Sequence, residues 1–123
     1  MKILIIDDNL TALSLIKTLL TSEGYDVVVT TKSIEGIVLA LDNKFDCIVM
    51  DLLLDELNGI DATIEIRSKE SFRNHIIAFT ANKEMLENTD ENIFDSTLSK
   101  PDIDGLVKLI SELNIKLNEK NKS

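Results

Sequence analysis

Tryptophan is absent from this 123-residue chain, and proline, cysteine and histidine each occur once. One thiol, Cys47, cannot staple a fold, so disulfide-built architectures are excluded and a reducing cytoplasm fits. Cys47 lies inside an apolar run and reads as a small buried hydrophobe. No apolar stretch approaches the ~18 residues of a membrane span. The opening "MKILIIDDN" turns acidic too soon for a signal peptide. Positive charge is also scarce: 13 Lys and Arg stand against 22 Asp and Glu, for a net charge of -9. Nucleic-acid binders draw most of their affinity from neutralising phosphate, so the charge argues against direct DNA or RNA binding. It argues equally against an anionic membrane surface. Repeats and low-complexity linkers are missing too, and 123 residues suit one domain with one core. The expectation is a soluble, cytoplasmic, single-domain protein.

What is present is an alternation of two periodicities. "KILIID" (residues 2–7) is a continuous apolar run, as in a strand buried on both faces. "LTALSLIKTLL" (10–20) carries a helical stripe, with Asn9 as its cap and Gly24 where a stop belongs. "YDVVVT" (25–30) is β-branched, and "SIEGIVLALDN" (33–43) reads as a helix capped by Ser33. "FDCIVMD" (45–51) is a third strand, "NGIDATIEIRSK" (58–69) a helix, and "HIIAFT" (75–80) a fourth strand. "STLSK" (96–100) is a short fifth strand. The closing helix spans 101–117, with Pro101 at its first position. Residues 82–95 have little to bury, so the fourth helix should be short or loosely held. Such alternation implies a parallel sheet with helices on both faces.

In a doubly wound sheet, ligands gather beyond the carboxyl ends of the strands. Here those ends carry Asp7 and Asp8, then Asp51, Thr80 and Lys100. Two like charges ~4 Å apart cost ~4 kcal/mol at an effective dielectric of ~20. Either a carboxyl stays protonated or a cation is bound. Only oxygen donors are offered, which selects a hard ion such as Mg²⁺. A metal and a lysine together suit phosphoryl transfer, and a carboxylate can serve as nucleophile. Each group alone has a plainer reading as a helix cap or strand end. The case rests on their convergence.

"ILIIDDN", "CIVMDLLLDELNGIDATIEIR", "IIAFTA" and "TLSKP" resemble, in order and over nearly the whole chain, the motifs of two-component response-regulator receiver domains. The "MD" and "NGIDAT" portion is similar to the receivers of hybrid histidine kinases, and the set also fits single-domain regulators. The resemblance implies a flavodoxin-like (βα)5 fold, strand order 2-1-3-4-5, over residues 1–118, with 119–123 a frayed polar tail. It implies that Asp51 takes a phosphoryl group from a phosphohistidine of a histidine kinase or phosphotransfer protein. Asp8 and Asp51 would ligate Mg²⁺ (or Mn²⁺), Asp7 mainly through water, with the Leu53 backbone carbonyl completing the protein ligands. Thr80, the Ala81 amide and Lys100 would hold the phosphoryl group, and the peptide before Pro101 would be cis. A downstream protein target is implied, and a homodimer is left open. Such a domain is no enzyme beyond its own phosphorylation and dephosphorylation.

Four positions depart from the resemblance. Asp55 stands where many relatives have proline, and could cap the next helix. Leu53 replaces a side chain that often influences hydrolysis, which predicts a long-lived phosphoryl group. Thr97 replaces a switching Tyr or Phe. Asn92 stands near an expected glycine, where it could take the left-handed conformation. Other residues read plainly: His75 and Arg67 as solvated, Phe45, Phe79 and Phe94 as core. A haloacid-dehalogenase-type enzyme needs a second Asp two residues after Asp51, where Leu53 stands. A flavin carrier would not place "DDNLT" at its phosphate loop. The remaining alternative is a receiver-like interaction module that signals weakly or not at all by phosphate.

Overall fold

The computed structural model describes residues 1–121. Five parallel strands form one sheet: β1 (Lys2–Ile6), β2 (Asp26–Thr30), β3 (Cys47–Met50), β4 (Ile76–Thr80) and β5 (Ser96–Ser99). Their order is β2-β1-β3-β4-β5, as the resemblance implied. Between them run α1 (Leu10–Ser22), α2 (Ser33–Asp42), α3 (Gly59–Lys69), α4 (Lys83–Glu87) and finally α5 (Ile103–Asn121).

The continuous apolar strands are explained by burial on both faces. Side chains alternate along a strand, so Ile3 and Ile5 face one way while Leu4 and Ile6 face the other. Ile3, Ile5, Cys47, Val49, Ile77 and Phe79 pack against Leu13 and Ile16 of α1 and Leu106 and Ile110 of α5. Leu4, Ile6, Ile48, Met50, Ile76 and Ala78 pack against Ala40 of α2 and Ala62 and Ile66 of α3. Phe45, Phe79 and Phe94 are core, and so is Cys47. Burial pushes the Cys47 thiol far above its ordinary range.

Local signals hold at several helix ends. Asn9 Oδ1 accepts the Ala12 amide at 3.1 Å, and Gly24 turns the chain at φ +90°. α4 has five residues, none buried, in line with the poverty of apolar residues there. Other expectations need correction. Ser33 does not cap α2: it is buried, and its hydroxyl accepts the Leu57 amide at 2.9 Å. Asp55 does not cap α3. Asn58 does, accepting the Asp61 amide at 2.9 Å, because it stands next to the first helical residue. Asn92 is not left-handed, since no non-glycine residue among those described has positive φ. It sits instead in a 3-10 turn, Glu91–Ile93. Pro101 precedes α5, and the Asp102 carboxylate accepts the Gly105 amide at 2.9 Å. The polar tail is helical as far as Asn121, and its last two residues, 122 and 123, lie outside the described residues.

Arg67 departs furthest from expectation. Its side chain is only 12% exposed. It donates to the Ile93 carbonyl (2.9 Å), the Asn74 carbonyl (2.7 Å), Glu70 (3.0 Å) and Asp95 (3.0 Å). Asp95 also accepts the Ile76 amide at 2.8 Å. One guanidinium therefore joins the end of α3 to the segment that leads into β5.

Candidate functional site

The sheet order changes direction at β1: its crossover runs outward to β2, and the chain returns on the other side as β3. That leaves a crevice at the carboxyl ends of β1 and β3. The register pairs Ile6 with Met50, so Asp7 and Asp51 come next on neighbouring strands. The Asp51 amide donates to the Ile6 carbonyl at 3.0 Å. Lys100 follows β5 and reaches across, its backbone amide held by the Thr80 carbonyl at 2.9 Å. Lys100 Nζ lies 2.7 Å from Asp7 Oδ2 and 3.3 Å from Asp51 Oδ2. The peptide between Lys100 and Pro101 is cis.

Asp7, Asp8 and Asp51 each offer a carboxylate oxygen within 4.8 Å of the others. Asp7 and Asp51 are buried, and Asp8 is partly exposed. Burial and the Asp7 charge hold the Asp51 carboxyl above its usual range, against the pull of Lys100 and the Leu53 amide. Burial raises Asp8 too, helped by the charges of Asp55 and Asp7. Burial alone would lower Lys100. The Asp7 hydrogen bond and the Asp51 and Asp7 charges prevail and hold it above its ordinary value. Asp8 and Asp51 thus resist ionisation, which a cation at the site would relieve. The donor set is all oxygen and fits a hard dication. Both Asp7 oxygens already hold donors, Lys100 on one and the Asn9 amide at 2.9 Å on the other.

Thr80 ends β4, fully buried, with its hydroxyl accepting the Asn82 amide at 3.1 Å. Ala81 follows it and is exposed. Leu53 is 57% exposed, while its neighbours Leu52 and Leu54 are buried. Thr97 is exposed on β5. Sequence reasoning assigned no role to Asp55, Ser33 or Gly59 in this arrangement. Asp55 acts on Asp8 by its charge. Ser33 and Gly59 fix the loop that follows Asp51. The one available signal was a glycine inside the first turn of a helix, where it is not needed as a cap.

The model of the response regulator receiver domain matches residues 3–111. The chain belongs to the response-regulator receiver family. The receiver is 35% identical over 88 residues to hybrid signal transduction histidine kinase I of Dictyostelium discoideum, a match covering 65% of this chain and 5% of the kinase. It is 31% identical over 80 residues to the polar-differentiation response regulator DivK of Brucella ovis, covering 64% of this chain and 65% of DivK. Among solved structures, it is similar to the receiver domain of sensor histidine kinase PA1611 from Pseudomonas aeruginosa. The TM-score is 0.80 and the identity 32%, over 91% of this chain and 95% of the other. That structure holds a magnesium ion in its active-site cleft. The receiver therefore spans a small part of the kinase and just under two thirds of DivK.

Proposed function

We propose that this chain is a phosphorylation-dependent switch in a two-component phosphorelay, with Asp51 as the phosphoacceptor. One observation supports it above the rest: three carboxylates and Lys100 Nζ meet at the crevice, with Lys100 only 3.3 Å from Asp51. An Asp51 carboxylate oxygen attacks phosphorus in a phosphohistidine of a histidine kinase or phosphotransfer protein. The P–O bond forms as the P–N bond breaks, and the leaving imidazole takes a proton from solvent. Asp8, Asp51 and the Leu53 carbonyl would hold Mg²⁺ or Mn²⁺, with Asp7 acting through water because its oxygens are engaged. Such an ion offsets charge on the phosphoryl oxygens.

Lys100 moves from the Asp51 carboxylate to a phosphoryl oxygen of the acyl phosphate, and keeps its bond to Asp7. The Thr80 hydroxyl and Ala81 amide donate to the others. Because Lys100 and Thr80 are joined through their backbones, a shift at one is passed to β5 without an aromatic swing at Thr97. The changed surface is read by a downstream protein, and a homodimer is one form the output can take. The receiver unit is residues 1–118. It processes no substrate beyond its own phosphoryl group.

Incubation with acetyl phosphate, with and without Mg²⁺, followed by intact mass measurement, tests this reading. One added phosphoryl group is expected, dependent on Mg²⁺ and absent in Asp51→Asn. Labelling of that variant at the wild-type level would overturn the site. Failure of the wild type to label under any condition would favour an interaction module that does not signal by phosphate.

A further inference from the structure

Asp51 is held from one side by strand pairing, and the loop 52–58 approaches it from the other. That loop is fastened at two points. The Gly59 amide donates to the Leu52 carbonyl at 2.8 Å, and the Leu57 amide donates to the buried Ser33 hydroxyl at 2.9 Å. We propose that Gly59 and Ser33 are positioning residues for Asp51, acting through this loop. This rests on Asp51 being the phosphoacceptor.

Gly59 is needed for space and not for conformation. Gly24 alone among the glycines has positive φ, and alanine is a better helix former than glycine. A Cβ on Gly59 would lie 2.7 Å from Leu52 Cα and 2.8 Å from the Asp51 carbonyl carbon, and closer still to the Asp51 carbonyl oxygen. All three atoms are backbone, so no side-chain rotation relieves the clash. At Gly36, by contrast, the atoms met belong to the Ile6 side chain.

Neither flank of the loop yields easily. β3 is paired on both sides, with β1 and with β4. The first turn of α3 is fixed by the Asn58 cap, by Thr63 Oγ1 donating to the Gly59 carbonyl at 2.7 Å, and by buried Ala62 and Ile66. The displacement therefore falls on the Asp51–Leu52 peptide, beside the nucleophile and one residue from Leu53. A shift on the order of 1 Å costs roughly a hundredfold in rate when reacting groups are held in place. Removing the Ser33 hydroxyl loosens the same loop without adding atoms.

The test compares Gly59→Ala, Ser33→Ala and the wild type. Ile110→Val, a buried change on α5 away from the site, serves as a stability control. Three quantities are read for each: the thermal midpoint, Mg²⁺ affinity by calorimetry with no phosphodonor, and the labelling rate with acetyl phosphate at saturating Mg²⁺. Folded Gly59→Ala is expected to label tenfold to a hundredfold more slowly, and Ser33→Ala threefold to tenfold. Both should bind Mg²⁺ more weakly, while Ile110→Val loses stability only. A folded variant with wild-type rate and affinity removes that residue from the role. If Gly59→Ala does not fold, Ser33→Ala decides. A wild type that never labels defeats the phosphoacceptor assignment, whatever the loop does.

Discussion

Leu53 stands two residues past Asp51 with 57% of its surface exposed. An aliphatic side chain cannot orient a water by hydrogen bonding. Leu53→Asn should therefore shorten the life of the phosphoryl group by roughly tenfold, less than the ~10² of a fully positioned base. Loss of label from purified phosphoprotein, followed by intact mass, measures it; equal decay would clear Leu53. The residues at strand ends were legible in the sequence because a parallel strand delivers its last side chain to a known edge. Asp7, Asp8, Asp51, Thr80 and Lys100 all fall there. Ser33, Asp55 and Arg67 were misread because their partners, Leu57, Asp8 and Asp95, are distant in sequence or joined by charge alone. Spacing within one helix carries no information about them.

At the scale of elements, the strands and long helices followed from periodicity, and even the weakness of α4 showed as a shortage of apolar residues. α4 buries no side chain. Its amides should exchange by local opening, faster than those of β3, whose residues are all buried. Native-state hydrogen exchange would show this, and equal protection would contradict it. Beyond α4, the segment that leads into β5 is held by Arg67. Arg67→Ala should cost about 2 kcal/mol in urea unfolding, because it leaves the Ile93 and Asn74 carbonyls without their donor and takes one partner from Glu70 and Asp95, which keep Asn74 and the Ile76 amide.

The same cluster sets an acid dependence. Burial opposes ionisation of Glu70, but hydrogen bonds from Asn74 and Arg67 prevail and hold it below its ordinary range. Burial likewise opposes ionisation of Asp95, and the Ile76 amide with the charges of His75, Arg73 and Arg67 holds it low. The folded state thus binds these protons more weakly than the unfolded chain. Their contribution is complete above the unperturbed values of 4.5 and 3.8 and is lost as pH falls through the folded ones. Stability measured from urea midpoints should drop across that acid window, and the drop should be shallower in Arg67→Ala.

For the whole molecule, the acidic crevice should make stability depend on divalent ions. A ligand that binds only the folded state at a hundred times its dissociation constant adds about 2.7 kcal/mol. Mg²⁺ should raise the thermal midpoint of the wild type and have a much smaller effect on Asp8→Asn. An equal rise in both would show that the ion acts elsewhere. Strand order was legible only through resemblance, since periodicity names strands without saying which are neighbours.

The sheet is also a partition. Among the described residues, the side chains packed against α1 and α5 form one core cluster and those packed against α2 and α3 another, because alternate residues of a strand turn opposite ways. Defects on the two sides should therefore accumulate independently. A trimmed Ile66 and a trimmed Ile110 would each take their own toll, and neither would worsen or rescue the other.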